Sequence, residues 1–177
     1  MNTLLRFTAV AIIIGLTACA GNPISYYRLP DSSFQAASNS LPIVRIEVQT
    51  ADFLNRSNLV YQDSPENVYF ARQHLWSEPL NTMLAKAFAN DLNRLPERRF
   101  AYTAAPAANT PILLIHIEDF QGSHTGYTHI SGYSQWQDIK LNTHNFDIHT
   151  AQQGNGYTAM VQSLRQGVRD AAKSIAP

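Results

Sequence analysis

The stretch "ILLIHI", residues 112–117, is almost continuously apolar and rich in β-branched side chains. Such a run is expected of a central strand covered on both faces. Working outward, "IVRIEV" at 43–48 alternates instead: Val44, Ile46 and Val48 fall on one side, Arg45 and Glu47 on the other. That period of two predicts a strand with one buried and one wet face. Tyr26–Leu29, closed by Pro30, is a shorter strand, and Asp31–Ser40 is a polar loop. Leu59–Tyr61 and Val68–Phe70, separated by Gln62–Asn67, have the spacing and composition of a hairpin.

Two segments carry helical periodicity. Leu80, Met83, Leu84, Ala87, Phe88, Leu92 and Leu95 recur at helical spacing before Pro96, with Ser77 placed to cap and Glu78 and Pro79 suited to a first turn. After the break "QQGNG" at 152–156, Tyr157, Met160, Val161, Leu164, Val168, Ala171 and Ile175 trace a second amphipathic helix. Between the helices, Ala101–Pro111 is a loop with room for a short edge strand, and Gln121–Gly126 is a turn. Tyr127–Gln137 returns extended, with Tyr127, His129, Ser131 and Tyr133 on one side, and another strand runs from Ile139 to about Ile148. Strand groups separated by helices predict an α+β fold: an antiparallel or mixed sheet packed with two amphipathic helices, in a single domain.

The N-terminus belongs to a different regime. Arg6 is followed by an uncharged run from Phe7 to Ala20, 14 residues, whereas a membrane-crossing helix needs roughly 20. A basic end before a short apolar core is the layout of a secretory signal. Leu16-Thr17-Ala18-Cys19 resembles the bacterial lipobox, in which small residues admit the lipoprotein signal peptidase and the cysteine sulfur carries a diacylglyceryl group. Cleavage between Ala18 and Cys19 makes residues 1–18 the signal peptide, 19–25 a lipidated tether and 26–177 the domain. Each buried acyl methylene contributes about 0.8 kcal/mol, so the N-acyl and S-diacylglycerol chains together give a lasting anchor. No other cofactor is expected. Ala20 after the cysteine, by resemblance to sorted lipoproteins, points to the outer membrane. Seven steps of roughly 3.3 Å hold Tyr26 within about 23 Å of Cys19.

The mature chain has 159 residues, the size of one domain. Its 12 basic and 13 acidic residues, counted from 13 and 13 after removal of Arg6, leave no basic excess for nucleic acid. Cys19 is the sole cysteine, so lipidation leaves no thiol for a disulfide or for catalysis.

No catalytic set is complete. "ISGYS" at 130–134 lacks the glycines of a nucleophile elbow, and Glu118 and Asp119, adjacent on a strand, point apart. The glycines of "QGNG" follow no strand-to-helix phosphate loop. Among the six histidines, the pairs His124/His129 and His144/His149 are each five apart, which places partners on opposite faces of a strand, so no metal site is expected. Trp76, just before the helix, is expected in the core, while Trp136 suits either the core or a partner surface.

"YYRL" at 26–29, "IVRIEVQTADFLNRSNLVY" at 43–61, "HLWSEPL" at 74–80 and "GNGYTAMVQSL" at 154–164 follow the lipobox. In that order they resemble the PqiC family of ABC-type transport auxiliary lipoproteins, with Asn55-Arg56-Ser57 standing where an aspartate-arginine-proline string is common. The resemblance implies a non-enzymatic, lipid-anchored subunit of an intermembrane lipid transport system. Its implied partners are an MCE-domain protein that spans the periplasm, outer-membrane lipid and further copies of itself in a ring. The rival expectation is a lipoprotein that itself holds a lipid or apolar ligand between sheet and helices; a structural or assembly lipoprotein of the envelope is a third.

Overall fold

The computed structural model describes residues 23–36, 41–95, 99–102, 109–137 and 143–176. The signal peptide, Ala18 and Cys19, Pro96, the middle of the 101–111 loop and the start of the strand expected from Ile139 lie outside the described residues.

Eight strands form one mixed sheet, with both described helices against it, which is the α+β architecture the periodicities predict. In chain order these are β1 (Ser25–Tyr27), β2 (Ile43–Thr50), a 3-10 turn (Asp52–Leu54), β3 (Asn58–Ser64), β4 (Asn67–Trp76), α1 (Leu80–Leu92), β5 (Arg99–Ala101), β6 (Ile112–Ser123), β7 (Tyr127–Trp136), β8 (Thr143–Ala151) and α2 (Gly156–Ser174).

The stretch at 112–117 opens β6, the strand on which the sheet is organised. One edge of β6 pairs antiparallel with β7 from Leu113↔Trp136 to Gly122↔Thr128. Its other edge is shared: β2 pairs parallel with the first half, and β3 pairs parallel with the far end at Tyr61↔Gly122. The chain therefore runs twice along the same edge, with Ala51–Ser57 as the detour between. β4 turns back on β3, β1 adds parallel to β4, β5 adds parallel to β2, and β8 extends the sheet beyond β7. In the hairpin the reversal itself is only Pro65-Glu66, because Gln62 and Ser64 still pair across the strands.

Burial on β6 alternates, correcting the expectation of a strand covered on both faces. Leu113, Ile115 and Ile117 are buried, while Ile112, Leu114 and His116 are half-buried. Both helices pack on one face of the sheet, α1 over β2 and β5 and α2 over β6, β7 and β8. An irregularity between Ile117 and Asp119 flips the alternation, so that Phe120 stays in the core and Asp119 and Gln121 turn to the open face. The turn expected at 121–126 shrinks to His124–Gly126 because β6 continues through Ser123.

Ser77 does not cap α1. Trp76 N–H donates to Ser57 O and Ser77 N–H to Tyr27 O, so the backbone is still committed to the sheet there and the helix starts at Leu80 behind Pro79. The apolar stripe otherwise lands as spaced, with Met83, Leu84, Ala87, Phe88 and Leu92 in the core. Trp76 is buried, 5.9 Å from Phe120 between ring centroids, and Trp136 packs against the same core.

α2 lies close to the sheet because two glycines admit it. A Cβ on Gly167 would sit 2.7 Å from Ile130 Cδ1, and one on Gly122 would sit 2.9 Å from Met160 Cγ. Between them the buried hydroxyls of Ser163 and Thr128 hydrogen-bond at 2.8 Å, and Ser163 also donates to Thr150 O.

Among the described residues, the largest fully buried side chain is charged. Arg165 of α2 donates from Nη1 to Asp91 Oδ2 at 2.5 Å and from Nη2 to Asp91 Oδ1 at 2.7 Å, a two-pronged bond between the helices. Neighbouring side chains at the end of α1 tie down other segments. Asn90 donates to Asp31 O and Ser33 O and accepts from Gln35 N–H, while Asn93 exchanges two bonds with the backbone of Phe100 in β5. Asp31 then accepts from Arg169 at 2.7 Å, which holds its carboxyl below the ordinary range against a smaller opposing effect of burial.

Removing one partner of the buried pair strands a charge, so Arg165→Met is expected to cost about 3–5 kcal/mol in urea unfolding. Pairing it with Asp91→Leu should recover most of that loss, because no charge is then left behind. Asp31 and Glu78 both have lowered folded pKa values, so their stabilisation is complete above their ordinary values of 3.8 and 4.5 and is lost as pH falls through the lower folded values. Melting temperature should hold above about pH 5 and fall below about pH 4, with a shallower acid limb in Arg169→Ala.

Candidate functional site

The segments that carry the family resemblance are far apart in sequence and meet at one end of the sheet. β1, from "YYRL", pairs with the last residues of β4 in the register Ser25↔His74 to Tyr27↔Trp76, so "YYRL" and "HLWSEPL" lie side by side. Tyr27 Oη and His74 Nδ1 are 3.0 Å apart, and the Tyr157 ring of "GNGYTAM" stacks on His74 with centroids 3.9 Å apart and planes 25° off parallel. Tyr157 and Tyr27 meet at a tilt, 6.3 Å apart. Burial pushes the Tyr157 phenol above its ordinary pKa, with Tyr27 and Tyr61 adding to it. Three rings thus join the first strand, the fourth strand and the first turn of α2.

The fourth segment enters just below. Asn55-Arg56-Ser57, from the detour between β2 and β3, faces Trp76-Ser77-Glu78-Pro79 across a shallow cleft of about 330 Å³. The Arg56 guanidinium lies 4.7 Å from the centre of the Phe70 ring. Glu78 accepts a 2.7 Å bond from Lys86, which draws its carboxyl below the ordinary value, and Arg28 stands 3.8 Å away. Ile24 and Tyr26, at the start of β1, are more than half exposed. A second open cleft, about 410 Å³, lies at the start of α2 between Tyr61, His124, Tyr157 and Met160.

Polar side chains on the open face are distributed by the strand register. Asp119 accepts from the Ser131 hydroxyl at 2.7 Å, and Glu118 is exposed beside the irregularity, so the two carboxylates do not act on one point. His116 stacks on Tyr133, and Arg45 pairs with Glu47 at 2.7 Å. His124/His129 and His144/His149 do not form pairs. The pairing is across strands: His129 on β7 lies opposite His149 on β8, their rings 4.3 Å apart, with Asp147 touching both. Sequence spacing could not show this, because it depends on the β7–β8 register.

Among the described residues no helix is long and apolar enough to cross a membrane. The model of the ABC-type transport auxiliary lipoprotein component family matches residues 27–176. The chain belongs to this family. It is also 28% identical over 171 residues to the intermembrane transport lipoprotein PqiC of Escherichia coli K12, covering 91% of this chain and 90% of that protein, and equally to PqiC of Shigella flexneri. A crystal structure of an uncharacterized protein, 27% identical, superposes with a TM-score of 0.74 over 87% of this chain and 97% of its own. A Xanthomonas campestris protein, 12% identical, shares the fold with a TM-score of 0.63 over 84% of this chain and 90% of its own. Auxiliary lipoproteins of this family are membrane-anchored components of envelope transport, in agreement with the resemblance to the PqiC family.

The ring triad is expected to hold β1 to the body of the domain. His74→Ala and Tyr157→Leu should each cost roughly 1 kcal/mol in ring contacts. Amide hydrogen exchange should quicken across 25–27 and 74–76 and stay unchanged in β6; unchanged exchange at β1 would show that backbone pairing alone suffices.

Proposed function

We propose that this chain is the outer-membrane lipoprotein subunit of an MCE-type intermembrane lipid transport system. Cys19, freed by cleavage after Ala18, carries the N-acyl and S-diacylglycerol chains. The domain docks the distal end of the periplasm-spanning partner against the outer membrane, as a homo-oligomeric ring, and so supports envelope integrity. The observation that carries this reading is the family match across residues 27–176, nearly the whole of the described domain.

The route of the chain is consistent with it. β1 begins at Ser25, six residues after Cys19, a reach of about 20 Å when extended. The corner built by the family segments is therefore the part of the domain tied most closely to the anchor. Ala20 supports outer-membrane over inner-membrane sorting. The role asks for binding and positioning rather than covalent chemistry, and nucleic acid has no part in it.

A ligand held between sheet and helices is disfavoured by packing. Met160 and Ile130 fill the space that Gly122 and Gly167 leave, and Leu113, Ile115, Phe88 and Leu164 pack in the same interior with almost no exposed surface.

Affinity capture from detergent-solubilised envelopes should enrich an MCE-domain protein with the wild type. Capture without such a protein, under conditions that keep membrane complexes intact, would remove the docking role. Mass spectrometry should find the mature N-terminus at Cys19 with the lipid mass attached. Cys19→Ala should be unlipidated and should leave the membrane fraction in high salt.

A further inference from the structure

We infer that His129, Asp147 and His149 form a binding site for a divalent transition metal, of which Zn²⁺ is the representative, on the open face of the β7–β8 ribbon. The proposed docking role assigns no part to these side chains. The sheet register brings them together: His129 and His149 are directly opposed, and Asp147 lies two residues before His149 on the same face. Their ligand atoms all fall within 4.8 Å of one another. Asp147 Oδ1 already stands 2.9 Å from His129 Nε2 and 3.2 Å from His149 Nε2, so one carboxylate oxygen faces two imidazole nitrogens. Two imidazoles and a carboxylate suit zinc, nickel or copper, not the all-oxygen shells of magnesium and calcium.

The surroundings of His129 favour it as the fixed ligand. Its side chain is 20% exposed, against 71% for Asp147 and 59% for His149. Behind it, Nδ1 lies 3.8 Å from Asp119 Oδ2, and Asp119 is itself anchored by the Ser131 hydroxyl. A carboxylate behind the far nitrogen is the arrangement that orients ligating imidazoles. The two rings are nearly parallel, 11° apart, and the Nε2 atom of each approaches Asp147 Oδ1. Zinc requires its donors at roughly 2.0–2.2 Å, and the two more exposed ligands, Asp147 and His149, have the room to adjust to it.

Three protein ligands leave a fourth position. The open face beside them is a cleft of about 480 Å³ that His124 and Gln121 also line. Gln121 is buried, donates its amide to Gln62, and has a carbonyl oxygen without a partner among the described residues. Because β8 lies beyond β7 at the end of the sheet, an ion held by residues of both strands would clamp it.

The test is calorimetric titration of ZnCl₂ into the full-length protein, purified in detergent without a polyhistidine tag, at about pH 7.5, where free imidazole is mostly neutral. One Zn²⁺ per chain is expected, with no heat from MgCl₂. His129→Ala and His149→Ala should each weaken binding by at least about tenfold, and Asp119→Asn, which touches only the orienting carboxylate, by roughly tenfold. Binding should weaken as the pH is lowered, because protons compete with the metal for its ligand atoms. His144→Ala is the control and should bind as the wild type. His149→Ala alters an exposed side chain and should keep the wild-type circular dichroism, so lost binding in it is lost ligation. Absence of binding in folded wild type, or undiminished binding in the His129→Ala/His149→Ala double variant, would overturn the site.

Discussion

A guanidinium and a carboxylate with almost no access to water decide how the two helices share the sheet. Arg165 and Asp91 meet through two parallel hydrogen bonds, and neither charge could remain in that interior without the other. Apolar stripes alone would let α1 and α2 slide or rotate over a sheet of Val, Ile and Leu, since such contacts are non-directional. The planar fork admits few relative positions, which makes the pair a device for register more than for net stability. Around it the end of α1 acts as a polar hub: Asn90 holds the 31–35 loop, Asn93 holds β5, and Arg169 reaches back to Asp31.

The divided edge of β6 has the corresponding effect on the sheet. With β2 and β3 following each other along one side, the chain must leave the sheet between them, and that detour carries Asn55-Arg56-Ser57 to the end of β4. The parallel pairing of β1 with β4 then sets Tyr27 beside His74, and the start of α2 brings Tyr157 onto the same ring. Segments as distant as 26–29 and 154–164 thereby build one corner.

The open face follows from both helices lying on the other side. Its polar side chains, His116 with Tyr133 and His129 with His149, stack across strands rather than pack under a helix. No described helix lies over these side chains, while on the helix-covered face Met160 and Ile130 fill the space beside Gly122 and Gly167.

By itself the sequence determined the element types, because periods of two and 3.6 are local properties of the chain. The strand at 43–48, the stripes of both helices and the place of Trp76 in the core were legible in this way. The lipobox-like pattern at 16–19 is likewise local, and it lies outside the described residues. Arg165 and Asp91 also left a trace, since each falls on an apolar stripe: Arg165 four after Val161 and three before Val168, Asp91 three after Phe88. Their partnership, however, spans 74 residues and belongs to the packing of two helices. Tertiary structure alone decided that β6 is open on one face, that Ser77 stays with the sheet, and that His129 meets His149 rather than His124. Each of these depends on which strand lies beside which, and in what register, and such long-range pairings leave no periodic mark on the chain that forms them.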